Sequence, residues 1–226
     1  MIVDLLPIAM LGAFLGMDVV TFPQAMISRP IVAATVAGAF IGNAPAGLVM
    51  GAVLELLALE MLPFGASRYP EWGSASVVGG ALYASEFGDP AGALAVALMA
   101  ALITAMLSGK SMVWLRRRNA SRAAKHREAL ERGSADVVTG LQLHGLAGDA
   151  IRGFLVTLLA MLVFSPLLPT VVAAWKTDAR YTRGVIVAIV AAVSAGAIWK
   201  IFHALPRARI LFMAGLALGA AVVVAE

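Results

Sequence analysis

The sequence contains no cysteine. Disulfides, cysteine–zinc sites and a phosphorylated cysteine are therefore excluded. Charge is also scarce, at 13% of residues. Signatures of soluble catalysis are missing: there is no phosphate-cradling GxxxxGK loop, no HExxH and no CxxC. Histidine is confined to His126, His144 and His203, far apart in sequence and in or beside polar or basic stretches. Each reads as a surface or interface residue rather than a catalyst, and no segment offers the soluble surroundings that a phosphohistidine needs. No catalytic residue, metal site or cofactor is expected.

What is present is apolar. Of 226 residues, 61% are hydrophobic, well above the share of a soluble domain. They lie in long blocks divided by short polar loops, more blocks than one soluble core can bury. The fold class expected is all-α: a polytopic transmembrane helical bundle, forming a single membrane domain over residues 1–226. The net charge of +4 is concentrated in loops, which for such a protein reads as membrane orientation rather than nucleic-acid binding. Asp4 stands where a signal peptide carries basic residues, and residues 2–17 are expected to remain in the mature protein.

Glycine and proline punctuate the blocks. Residues 2–17 are short for a crossing and carry Pro7, Gly12 and Gly16, so a re-entrant or tilted helix is expected. Pro23 and Pro30 predict an irregular connection after Asp18. Residues 31–42 and 46–63 read as two half-helices broken at Gly42, Asn43, Ala44 and Pro45. Gly38, Gly42, Gly47 and Gly51 allow close helix approach, and such breaks point to a transporter's binding site. Residues 61–74 predict a structured loop or hairpin tip. Residues 75–87 and 91–107 form a second pair of halves, divided by Glu86, Gly88, Asp89 and Pro90.

Residues 110–132 carry Lys110, Arg116, Arg117, Arg118, Arg122, Lys125, Arg127 and Arg132, which places them on the cytoplasmic side. From Trp114 onward an amphipathic or solvated helix ending at Gly133 is expected; docking of an acidic soluble partner is the functional alternative. Residues 134–150 predict a linking helix. Residues 151–174 predict a span kinked or ended by Pro166 and Pro169, and 184–203 and 208–225 two more. Counting from a cytoplasmic 110–132 puts 176–183 outside, 204–209 inside and Glu226 outside.

Polar groups inside apolar blocks are costly and mark function. Asp18, Gln24, Ser28, Arg29, Asn43, Glu55, Ser67 and Glu71 form such a set. Carboxylates, amides and arginine match the hydroxyls of a sugar, and Phe22, Tyr69 or Trp72 can cover its apolar face. Arg29 has two readings that stay open, a ligand contact or a pair with Asp18 or Glu55 that holds the bundle. Glu55, within the apolar LEL run, reads as a ligand contact.

The pattern D-x5-Q-x3-SRPIV-x5-G-x3-G, GL-x2-GA-x-LEL, LPxGA-x3-PE runs through Asp18, Gln24, Ser28, Arg29, Pro30, Gly38, Gly42, Gly47, Gly51, Glu55, Leu56, Pro63, Gly65, Ala66, Pro70 and Glu71. It resembles the IIC membrane subunit of the mannose/fructose/sorbose type of the bacterial phosphotransferase system. The resemblance covers about the first third of the chain. It implies a multi-pass protein of the bacterial cytoplasmic (inner) membrane with a mobile core, a scaffold and re-entrant hairpins. It also implies a IID membrane partner, cytoplasmic IIA and IIB proteins that carry the phosphoryl group, and a trimer of IIC–IID pairs in membrane lipid. Sugar contacts would fall on Gln24, Ser28, Glu55 and the Gly65–Glu71 loop. Two departures stand out: Asn43 replaces a usual aspartate, keeping hydrogen bonding without charge, and Pro23 replaces a common glycine. The function implied is binding and translocation of a hexose-type sugar for phosphorylation by IIB. The alternatives are a sugar-sensing or assembly subunit, and a proton-driven transporter using Glu55 or Asp18.

Overall fold

The computed structural model describes residues 2–59, 69–86 and 90–225. The described residues form helices and connections: α1 (Ile2–Met17), α2 (Pro30–Ile41), α3 (Ala44–Leu57), α4 (Trp72–Ser85), α5 (Ala93–Lys125), α6 (Arg127–Glu131), α7 (Ala135–Ala173), α8 (Ala179–Phe202) and α9 (Ala208–Ala225). The all-α membrane bundle is as expected. α5, α7 and α8 are long and apolar enough to cross a membrane. At 1.5 Å per residue, α2 and α3 reach only about 18 and 21 Å, short of a ~30 Å hydrocarbon core.

α4 is the central element, buried on every side from Gly73 to Ala84. Its composition explains this: Gly73, Ser74, Ala75, Ser76, Gly79 and Gly80 leave no bulky face, so α1, α2, α3, α5 and α7 pack around it. The α2–α3 hairpin turns at Gly42, in the left-handed region at φ 98°, and Asn43 caps α3 by accepting from the Ala46 amide at 3.2 Å. The two helices touch backbone to backbone. A Cβ added at Gly38 would sit 2.7 Å from Gly47 Cα, and one at Gly47 would collide with the Ala34 carbonyl.

Several boundaries differ from the sequence reading. The half-helix beginning near residue 91 does not stop at 107. It continues as α5 through the arginines to Lys125, because an alanine- and arginine-rich stretch sustains a helix as well as an apolar one does. The linking helix and the following span are likewise one helix, α7. It passes through Pro166 and Pro169 to Ala173, where Thr170 Oγ1 donates to the Pro166 carbonyl at 3.3 Å. The carbonyls that lose a donor are those of Leu162 and Ser165, four residues before each proline, and such losses are tolerated in an apolar span packed against neighbouring helices. The expected loop at 61–74 and the second break lie largely outside the described residues.

Candidate sugar-binding recess

Helix ends gather at one end of the bundle. The C-termini of α1 and α3 and the N-termini of α2 and α4 meet there, beside the point where α5 and α7 project as an antiparallel, cation-rich hairpin. Between them lies a recess of about 290 Å³, near the lower limit of ligand pockets. It is lined by Asp18, Gln24, Ser28 and Arg29 from the α1–α2 connection, by Ala58, and by Tyr69 and Trp72, among others. Four members of the polar set and two aromatic rings thus share one cavity.

The connection is held by Asp18, which is almost fully buried. Its Oδ1 accepts from the Ala25 amide at 2.7 Å, and its Oδ2 from the Ser28 amide at 2.9 Å and the Ser28 hydroxyl at 2.7 Å. Asp18 therefore shapes the loop as much as it faces the cavity. Gln24 and Met26 adopt left-handed backbone, at φ 59° and 60°, which is uncommon outside glycine and asparagine. Gln24 Nε2 donates to the Val20 carbonyl at 2.9 Å. The loop is thus a built surface that turns Gln24, Met26 and Ser28 to the recess.

Arg29 pairs with Glu55, not Asp18. The pair is partly exposed, with 44% of the Arg29 side chain accessible. Glu55 Oε2 also accepts from the Ile31 amide at 3.2 Å, so it reaches across from α3 to cap the first turn of α2. Glu55 supports the rim through Arg29 rather than lining the cavity.

Glu71 lies behind the wall. It is fully buried and is the N-cap of α4, accepting from the Ser74 amide at 3.0 Å. Its Oε2 accepts from the Ser108 hydroxyl at 2.6 Å and stands 3.8 Å from Arg152 Nη1. Arg152 Nη1 also donates to Ser108 at 2.7 Å, and its Nε to Asp149 at 2.7 Å. Asp149 accepts in addition from Thr21, on the loop below the recess. The Glu71 amide donates to the Ala105 carbonyl at 2.9 Å, which fixes Tyr69–Trp72 against α5. Arg116 adds a hydrogen bond to the Tyr69 hydroxyl and stacks over its ring at 5.1 Å. Asn43 is elsewhere: it caps α3 at the end opposite Ala58, about 20 Å away along the helix. Ser67 lies outside the described residues.

Sequence reasoning passed over Ser108 and Arg152, took Arg116 only as a marker of the cytoplasmic side, and left Asp149 in a linker. The signal was present for Arg152: an arginine opening the apolar run IRGFLVTLLAML is as costly as Arg29 or Glu55, and Asp149 stands one helical turn before it.

No curated protein matches the chain. A family model described as the PTS system sorbose-specific IIC component matches residues 2–188, which include the whole recess and its supporting network. The chain therefore belongs to the sorbose-specific IIC component family, as a multi-pass membrane subunit of a sugar phosphotransferase system.

Proposed function

We propose that the chain binds a hexose-type sugar in the recess between the Asp18–Arg29 connection and Tyr69–Trp72, and carries it across the membrane for phosphorylation by a soluble IIB protein. The observation that carries this reading is the lining: Gln24, Ser28 and Arg29 opposite Tyr69 and Trp72, at the end of the bundle where α5 bears its arginines. Amide, hydroxyl and guanidinium groups match sugar hydroxyls, and the rings match its C–H face. In this reading Asp18, Glu55 and Glu71 hold the walls, while Asn43 and Ser67 belong to the surrounding motif.

The single membrane domain, residues 1–226, performs no phosphoryl transfer itself; IIA and IIB do so. It works with a IID subunit as a trimer of IIC–IID pairs, surrounded by the lipid of the bacterial inner membrane. The short helices α2 and α3 move with the recess as the mobile core, and the long helices form the scaffold. The test is equilibrium binding of radiolabelled sorbose, mannose and fructose to the chain purified with IID. Wild type binds one of them saturably, and Gln24→Ala and Trp72→Ala each weaken binding while the protein remains helical. Unchanged affinity in both variants would sink the assignment.

A further inference from the structure

The cationic hairpin holds a second concavity. Beyond the bundle, Arg122 on α5 and His126 just past its end face Val137, Gly140, Leu141 and His144 on α7 across a recess of about 250 Å³. An adjoining hollow of about 450 Å³ shares Arg122 and His144 and adds Asn119 and Gln142. Asn119 and Arg122 lie one turn apart on α5, and Gln142 and His144 lie on α7, so regular backbone holds these four in place. Arg122 Nη1 is buried and has no hydrogen-bond partner among the described residues. Arg122 is only half-buried and lines both hollows, so an anion that enters them meets its positive charge. His126 donates its Nδ1–H to the Arg122 carbonyl at 2.9 Å, so that proton is committed to the backbone and the ring closes the end of the hollow. No carboxylate lines either hollow. Of the acidic groups at the hairpin tip, Glu128, Glu131 and Asp136, the second is paired with Arg127 at 2.7 Å.

A guanidinium, an imidazole and two amides, with no carboxylate, fit a compact dianion with several acceptor oxygens. We propose that this recess binds a phosphate monoester, with Arg122 as its charged anchor and His144, Asn119 and Gln142 as further donors. This inference uses no residue of the sugar recess. Two sources share the chemistry, a soluble phosphate ester such as a phosphorylated sugar and a lipid headgroup. Trp114 is exposed beneath Arg118, as expected of an interfacial anchor, and Arg122 stands about 12 Å further along α5. That position, beyond the interface, favours the soluble ester.

The experiment titrates the full chain in zwitterionic detergent with inorganic phosphate and with a hexose 6-phosphate, followed by phosphorus NMR line broadening. Saturable binding is expected, weakened about tenfold or more by Arg122→Gln. Gly140→Leu should abolish it with helicity intact, because a Cβ at Gly140 meets no atom within 4 Å and the side chain would fill the recess. Arg117→Gln, in a different hollow with Lys110 and Trp114, should change nothing. In nanodiscs, a headgroup source would appear as Arg122-dependent binding to phosphatidic acid without any soluble titration. The proposal is overturned if neither probe shows Arg122-dependent binding, or if Arg117→Gln and Arg122→Gln weaken it equally, which is the behaviour of diffuse charge.

Discussion

Two ionic clusters flank the proposed sugar recess, and they are built for different work. At the rim, Arg29 and Glu55 form one pair whose arginine side chain is 44% accessible. Behind the wall, Arg152 bridges Glu71 and Asp149 with Ser108 and Thr21, and the charged side chains are at most 6% accessible. An exposed pair contributes little to stability because water competes for both partners, and for the same reason a ligand can compete too. A buried cluster cannot exchange partners at low cost, so removing one member strands the others. The rim is where binding can act; the inner cluster decides whether the wall exists.

The largest effect should come from cutting the inner cluster. Arg152→Met leaves Glu71 and Asp149 buried without their shared cation, a loss of about 3–5 kcal/mol by analogy with broken buried pairs. Thermal unfolding of the detergent-purified protein should show a large drop in midpoint or failure to fold. A small shift would mean that the cluster is a bystander and that the contrast with the rim is wrong.

Next in size is the hairpin that carries Glu55 to the rim. Gly47→Val would drive a branched side chain into the Ala34 carbonyl and push α2 from α3. Overpacking of this kind costs about 1–3 kcal/mol. Because it also parts Glu55 from the Ile31 amide, sugar binding should fall together with the unfolding midpoint. Sugar affinity at wild-type level in Gly47→Val would show that the rim pair does not depend on this helix contact.

These sites differ in how far the sequence reveals them. The break at Gly42–Pro45 and the close approach of α2 and α3 were legible, because glycine spacing and helix-stopping residues act locally. The irregular Asp18–Arg29 connection was legible from its prolines, and the motif brought Gln24, Ser28 and Arg29 to one cavity. Arg29's partner was not legible: Asp18 and Glu55 were equally available in sequence, and only the loop's closure on Ser28 takes Asp18 out of reach. The roles of Glu71 and Arg152 were hidden for a related reason. Their meeting depends on how α7 lies across α4 and α5, a long-range packing outcome with no local sign beyond an isolated arginine. Helix boundaries in α5 and α7 were misread because hydropathy changes where the membrane ends while the helix does not.

The rim itself should respond in the opposite sense to the inner cluster. Arg29→Ala removes a partly exposed pair, so the stability change should stay at or below about 1 kcal/mol. Sugar affinity in the complex with IID should nevertheless fall about tenfold, the loss expected for one charge-assisted hydrogen bond. A double-mutant cycle with Glu55→Gln sharpens this. If Glu55 acts through Arg29, the second substitution adds little once the first is made. Additive losses in sugar affinity would give Glu55 a contact of its own.

The smallest effect belongs to Asn43, and it calibrates the other three. Asn43 sits at the α2–α3 turn, at the far end of α3 from the recess, and its carbonyl oxygen caps α3 through the Ala46 amide. Asparagine and aspartate are nearly equal as caps, whereas alanine loses about 1 kcal/mol. Asn43→Asp should therefore leave the unfolding midpoint almost unchanged, and Asn43→Ala should lower it slightly. Neither should alter sugar affinity if the recess beside Arg29 is the binding site. A carboxylate at this turn that changed affinity would place a charged determinant about 20 Å along α3 from the rim. The division between a binding rim and a structural interior would then have to be redrawn to include the hairpin turn.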